Sequence, residues 1–301
     1  MGHSDMFSLA GKVIVVTGGT GVLGAGFVKG IATQGGIPII LGQNGEKGNE
    51  RVAEVKANGG DAHFISVNVL EEAQLVSAKN EILEKYGKID GLVNGAGGNI
   101  PSGVLQPTED VFNLNIDGMK DALVLNLWGT IIPVQVFGPE IAKTGNGSIV
   151  NISSVSSKRA ITKVLGYSMG KAAIDIYTKW FAIEMANRYG DKIRINSIMP
   201  GFFLTSQNKT LLTNEDGSYT DRGNAIIRNT PYKRFGQPDE LIGALIWLLS
   251  DASKFVTGMD IGVDGHQLVL FIILNNHKHI SQHYLQQELR MLHQPIKQEY
   301  E

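Results

Sequence analysis

The chain contains no cysteine among its 301 residues. Disulfides, thiolate metal sites and cysteine nucleophiles are therefore excluded. It has little excess of either charge: 27 Lys and Arg stand against 29 Asp and Glu, a net charge of −2. That balance gives no electrostatic case for nucleic acid or for an anionic membrane surface. It also lacks long apolar runs. No stretch reaches the ~18 apolar residues that read as a bilayer span, and the longest near the end, Leu268 to Leu274, is far shorter. No basic segment leads into a long apolar one at the N-terminus, so a cytoplasmic location is expected. Residues 1–6 are set apart as an appended or disordered leader, with a natural start at Met6. What remains, 43% hydrophobic and 19% charged, suits a globular domain with a full core.

Against these absences, one spacing carries chemical information. Tyr167 stands four residues before Lys171, and Ser154 stands thirteen residues before Tyr167. Residues four apart share one face of a helix. A phenol titrates near pH ~10 and is a poor proton carrier at neutrality. A neighbouring ammonium favours the phenolate, so Lys171 is expected to pull the Tyr167 pKa down. A serine from a nearby strand end could hold a substrate oxygen beside the phenol. None of the other seven tyrosines has a lysine at this position.

The chain opens with a second signature. Lys12 to Thr17 form a β-branched apolar run that reads as a buried parallel strand. Gly18-Gly19-Thr20-Gly21-Val22-Leu23-Gly24 follows directly, then a helical stretch to about Gln34. A strand, a glycine-rich turn and a helix start make a phosphate cradle, because glycines admit close backbone approach and the helix N-terminus favours negative charge. Candidate strands fall at 12–17, 37–41, 62–67, 89–94, 147–153, 192–198 and 259–263. Candidate helices fall at 22–34, 46–57, 71–86, 119–143, 164–189 and 238–250. This alternation predicts an α/β fold: a doubly wound, parallel, seven-stranded sheet with helices on both faces and ligands at the carboxyl ends of the strands. Two segments, 98–118 and 205–235, interrupt it and read as lids or substrate walls.

Taken in order and spacing, Thr17-Gly18 with Gly24, Asn94-Gly95-Ala96-Gly97, Asn126, Ser154, Tyr167 with Lys171, and Pro200-Gly201 resemble the short-chain dehydrogenase/reductase family. The likeness runs from about Phe7 to Gly265, giving one domain over 7–265 and an atypical tail over 266–301. Four narrower stretches resemble the D-mannonate oxidoreductase (fructuronate reductase) branch. These are Gly21–Gly24, Asn94–Asn99, Pro200–Thr205 and Asn214–Ser218.

The resemblance implies a Rossmann-type fold and a hydride exchange with NAD or NADP. It implies Tyr167 as general acid/base, Lys171 as its partner and ribose ligand, and Ser154 as the group that orients the substrate carbonyl. Asn126 would hold a water that links the lysine to solvent. Cofactor contacts would come from Gly18, Thr20, Gly21, Val22, Leu23, Gly24, Asn44, Asn68, Val69, Asn94, Ala96, Gly97, Pro200, Gly201 and Thr205, besides Tyr167 and Lys171. For a sugar-acid substrate, Asn99, Lys163, Gln207 and Asn208 are the candidate ligands. A homo-dimer or homo-tetramer built on the helices of Asn126 and Tyr167 is also implied.

Several positions depart from the family pattern. Val22 stands where most relatives place a glycine. Gly42 replaces the Asp of NAD-using relatives, yet Gly42-Gln43-Asn44 offers no arginine for a 2′-phosphate, so the choice between NAD and NADP stays open. Asn68 replaces an Asp facing adenine. Gly170 lies inside the catalytic helix, explained by packing against the cofactor or a neighbouring helix. In the tail, Ile280, Tyr284, Leu285, Leu289 and Leu292 share one helical stripe. His277, His279 and His283 have metal-compatible spacing, but no supporting carboxylate or further histidine pattern, and no metal site is assigned. The expected activity is interconversion of a secondary alcohol and a ketone, with D-mannonate/D-fructuronate favoured. Another small polyol, sugar or ketoacyl substrate is the alternative. A catalytically idle dinucleotide sensor or scaffold is the rival from another class.

Overall fold

The computed structural model describes residues 3–106, 108–205 and 208–266. Gln207 and residues 267–301, with the apolar stripe and His277, His279 and His283, lie outside the described residues. Strands and helices alternate: β1 (Val13–Thr17), α1 (Val22–Thr33), β2 (Ile37–Gly42), α2 (Gly45–Ala57), β3 (His63–Ser66), α3 (Glu72–Tyr86), β4 (Gly91–Asn94), α4 (Ile116–Lys143), β5 (Gly147–Ile152), α5 (Leu165–Tyr189), β6 (Ile193–Pro200), α6 (Lys209–Leu212), α7 (Asp221–Arg228), α8 (Ile242–Leu249) and β7 (Asp260–Val263). The strands form one sheet in the order β3-β2-β1-β4-β5-β6-β7, every pair parallel.

Alternation along the strands sends side chains to two cores. On one face Val13 and Val15 of β1 and Ile39 and Leu41 of β2 pack with Leu75 of α3, Phe137 of α4 and Met185 of α5. On the other, Ile14, Val16 and Ile40 pack with Phe27 and Ile31 of α1 and Leu245 of α8. The sheet is thus buried on both sides, which is why its strands read as continuous apolar runs. The chain leaves β1 toward β2 and returns on the other side at β4. A crevice opens above the carboxyl ends of these two strands, where doubly wound sheets bind ligands.

Helix α4 begins at Ile116, three residues earlier than its apolar pattern suggested, because the Asn115 side chain accepts the Gly118 N–H at 3.0 Å and caps it. It is the one helix among the described residues long and apolar enough to cross a membrane, but half of that apolar window is buried. The segment ahead of it is pinned rather than loose: a Cβ on Gly103 would lie 2.5 Å from the Gly118 carbonyl oxygen. Residues 208–235 are also more ordered than a loop. They hold α6 and α7, joined by a turn in which Thr213 bridges Tyr219.

Helices α4 and α5 lie close together. A Cβ on Gly170 of α5 would sit 2.9 Å from the Asn126 Cβ of α4. Of the two reasons expected for this glycine, the neighbouring helix is the one the packing supplies. An Ala there gains roughly 1 kcal/mol of helix propensity, but overpacking costs about 1–3 kcal/mol. Gly170→Ala is therefore expected to lower the thermal unfolding midpoint. A midpoint equal to or above the parent would refute this reading of the contact.

Candidate active site

The crevice is a cleft of about 710 Å³. Its floor at β1 is the glycine turn. Gly18 has a positive φ of 66°, and a Cβ there would lie 2.7 Å from both the Ala96 N and the Gly95 O. A Cβ on Gly24 would come within 2.2 Å of the Gly18 carbonyl oxygen. Only glycine fits either place. Gly21 caps α1 without any side-chain hydrogen bond, so the first N–H groups of α1 face the cleft without a capping acceptor. A helix start of this kind is a ready anion site. The cradle fits the pyrophosphate of a dinucleotide.

Across the cleft, β5 ends at Ile152 and releases Ser153 and Ser154. Helix α5 delivers Tyr167 and Lys171 to the same place. Lys171 is 4% exposed, and its ammonium donates to the Ile152 carbonyl at 2.7 Å. It lies 5.6 Å from the centre of the Tyr167 ring. Tyr167 and Ser154 are hydrogen-bonded through their side chains, and Ser154 Oγ accepts the Ser156 N–H at 3.1 Å.

The titration order differs from the expectation. Burial pushes the Tyr167 phenol above its ordinary value of 10, and the hydrogen bond with Ser154 only partly opposes this. Burial pushes the Lys171 ammonium down to about 8, with Asp175 working against the shift. The lysine thus loses its proton before the phenol does. It is Lys171, not Tyr167, that burial brings toward the working range.

Asp175 stands one helical turn beyond Lys171 and is 3% exposed. Ser153 donates to its Oδ1 at 2.5 Å, and Lys158 pairs with its Oδ2 at 2.9 Å. Lys158 and Lys179 also reach Asp260 of β7, each at 2.8 Å, and Ser197 donates to the same carboxylate at 2.7 Å. The network ties the serine-bearing strand end to α5 and to the sheet edge.

Asn126 is fully buried. Its amide donates to the Gly98 carbonyl at 2.8 Å and the Ala122 carbonyl at 2.7 Å, and its oxygen accepts the Gly98 N–H at 3.1 Å. The side chain is therefore a clamp on the loop that follows β4. Of the residues expected to touch the dinucleotide, Gly18, Thr20 to Gly24, Asn44, Asn68, Val69, Ala96, Gly97, Pro200, Gly201 and Thr205 line the cleft together with Tyr167 and Lys171. Asn94 does not: it lies beneath, donating to Asn151 at 2.8 Å between β4 and β5. Among the substrate candidates, Asn99 and Asn208 line the cleft and Lys163 does not. Lys163 has a positive φ of 76°, and its carbonyl accepts the Leu105 N–H.

Residues 21–265 match a family model described as enoyl-(acyl carrier protein) reductase. This chain belongs to the short-chain dehydrogenase/reductase family. It is 40% identical over 267 residues to an uncharacterized oxidoreductase, UxuB, of Bacillus subtilis, across 86% of this chain and 95% of that protein. A solved Haemophilus influenza structure with bound NAD, described provisionally as a D-mannonate oxidoreductase, superposes with a TM-score of 0.80 at 36% identity, covering 87% of this chain and 96% of that one. A gluconate 5-dehydrogenase from Burkholderia cenocepacia, solved with NADP and tartrate, superposes with a TM-score of 0.76 at 32% identity, over 87% and 97%.

As a short-chain dehydrogenase/reductase, the enzyme uses NAD or NADP to act on alcohol groups. The structure gives a steric reason for the missing acid after β2. A Cβ on Gly42 would lie 2.5 Å from the Thr20 hydroxyl, so Thr20 occupies the space an Asp would need. Polar cleft residues that escaped sequence reasoning include Thr162, ahead of α5, and Arg222, on α7. Arg222 could have been suspected from the Thr220-Asp221 helix-start signal, but not its direction. Replacing Asp175 by Asn removes the anion that opposes the fall in the Lys171 pKa. The alkaline limb of kcat/KM for carbonyl reduction is then expected to move to lower pH in Asp175→Asn. A limb left where it stands in the parent would contradict the coupling.

Proposed function

We propose that this enzyme interconverts the secondary alcohol and the ketone of a sugar acid, with D-mannonate/D-fructuronate as the favoured pair. The observation that carries the reading is the meeting of Ser154, Tyr167 and Lys171 at one wall of a dinucleotide-sized cleft. The bound nicotinamide supplies or removes the hydride. Ser154 and Tyr167 present two hydroxyls to the reacting oxygen. In reduction the phenol gives that oxygen a proton, and Lys171, which loses its own near pH 8, restores it. Oxidation runs the same transfers backwards. Asn126 contributes by fixing the Gly97–Gly98 turn beside Lys171, where a Cβ on Gly97 would lie 3.3 Å from the ammonium.

The sugar-acid choice is supported by the 36% identity to the Haemophilus protein and by the polar cleft wall of Asn99, Thr162 and Asn208. Gluconate is the second reading, favoured by the 32% identity to the Burkholderia enzyme. The NAD/NADP choice follows from charge: no Asp or Glu is among the described residues lining the cleft, so nothing there repels a 2′-phosphate. A homo-oligomer in the cytoplasm completes the reading. Trp128 on α4 and Ile176, Trp180 and Ile183 on α5 are large apolar side chains between 48% and 66% exposed, a surface suited to a second copy.

The test is a panel of sugar acids, polyols and ketoacyl compounds assayed with both nicotinamides by absorbance of the reduced ring, on the parent and on Tyr167→Phe. Turnover of a hexonate above all neutral compounds is expected. Tyr167→Phe is expected to lose at least about 100-fold in kcat while still binding the dinucleotide. A substrate preference for neutral polyols would reject the sugar-acid reading. A Tyr167→Phe protein with full turnover would reject the proton-transfer role.

A further inference from the structure

The cleft holds an unspent cation. Its described lining contains two basic residues, Lys171 and Arg222, and no acidic one. Lys171 is buried and committed to the Ile152 carbonyl. Arg222 is exposed to the cleft and has no hydrogen-bond or ion-pair partner among the described residues. Arg51 is engaged with Glu54, Arg234 with Glu240, and Arg194 with Ser250 and Ser253, whereas Arg228, the other arginine of α7, does not line the cleft.

The backbone under Arg222 is fixed on both sides. Thr220 caps α7 by accepting the Gly223 N–H at 3.1 Å and donates to the Leu211 carbonyl at 2.9 Å. A Cβ on Gly223 would come within 2.3 Å of the Leu212 carbonyl oxygen, so α7 is pressed against α6. Tyr219, just before the cap, packs edge-on against Phe235 at 5.2 Å. A guanidinium carried on a fixed backbone and left without an anion is set up to receive one, and its planar fork suits a carboxylate.

An anion in this cleft has two sources, the dinucleotide pyrophosphate and the substrate. The sheet order separates them. The pyrophosphate cradle lies after β1, whereas α7 belongs to the segment after β6, and β4 and β5 stand between. At ~4.8 Å per strand the carboxyl ends of β1 and β6 stand roughly 14 Å apart. The N–H groups of the glycine turn and of the start of α1 serve the pyrophosphate on the β1 side, whereas Arg222 lines the cleft with Asn208 of the segment after β6. The anion left for Arg222 is that of the substrate.

We propose that Arg222 binds the carboxylate of the substrate and so selects hydroxy and keto acids over neutral sugars. This rests on the sugar-acid reading above. It assigns to α7 the cationic role that the sequence placed on Lys163, a residue absent from the cleft lining.

The experiment compares parent, Arg222→Ala and Arg222→Lys by steady-state kinetics. The substrates are D-mannonate and its neutral counterpart D-mannitol, and dinucleotide KM is measured alongside. A charge-assisted hydrogen bond sets the scale. The ratio of kcat/KM for the acid over the neutral compound is expected to fall roughly 10- to 100-fold in Arg222→Ala, mostly through KM for the acid. Arg222→Lys should recover part of it. An unchanged ratio on a parent enzyme that turns over the acid overturns the Arg222 assignment and leaves the function standing. A rise in dinucleotide KM with the ratio unchanged assigns Arg222 to the pyrophosphate and equally overturns it. A parent that turns over no sugar acid rejects the function itself, and the inference with it.

Discussion

The site depends on one buried ammonium. Lys171 has been taken out of water and given a carbonyl of β5 as its acceptor. Burying a charge is costly unless it is paired, and the surrounding chain is arranged to meet that cost. Ile152 ends its strand where the carbonyl can reach the lysine, Asp175 supplies an opposite charge one turn along the helix, and Ser153 and Lys158 hold Asp175 in turn. Because the compensation is partial, the lysine becomes an easier proton donor than it is in water.

The same packing explains features that look unrelated. Gly170 is small so that α5 can press against Asn126. Asn126 clamps Gly98, and Gly97 passes beside the ammonium because it has no side chain. The glycine turn after β1 and the loop after β4 also meet, through Gly18 against Ala96. The cofactor cradle and the proton-transfer groups therefore share one framework.

Much of the fold was legible in the sequence. The buried strands announced themselves as β-branched runs, and their alternation with helical periods gave the sheet and its winding. What escaped was short or depended on distant contacts. Helices α6 and α7 are four and eight residues long in a polar stretch, too short for periodicity to register. In the site, the spacing of Ser154, Tyr167 and Lys171 pointed to residues that the fold does bring together. The electrostatic order did not follow from it, because spacing carries a lysine's charge but not the depth at which that charge is buried. Lys163 is near Tyr167 along the chain. A left-handed backbone at that residue and a main-chain bond to Leu105 are tertiary facts that no local pattern encodes.

The claim beneath the rest is that burial brings the Lys171 ammonium down to about 8. The most direct test is an NMR titration of protein labelled with 13C at the lysine ε carbons, free of cofactor, with the Lys171 signal assigned by its loss in Lys171→Met. The account predicts a transition for that signal near pH 8. A transition near the ordinary lysine value of 10.5 would contradict it.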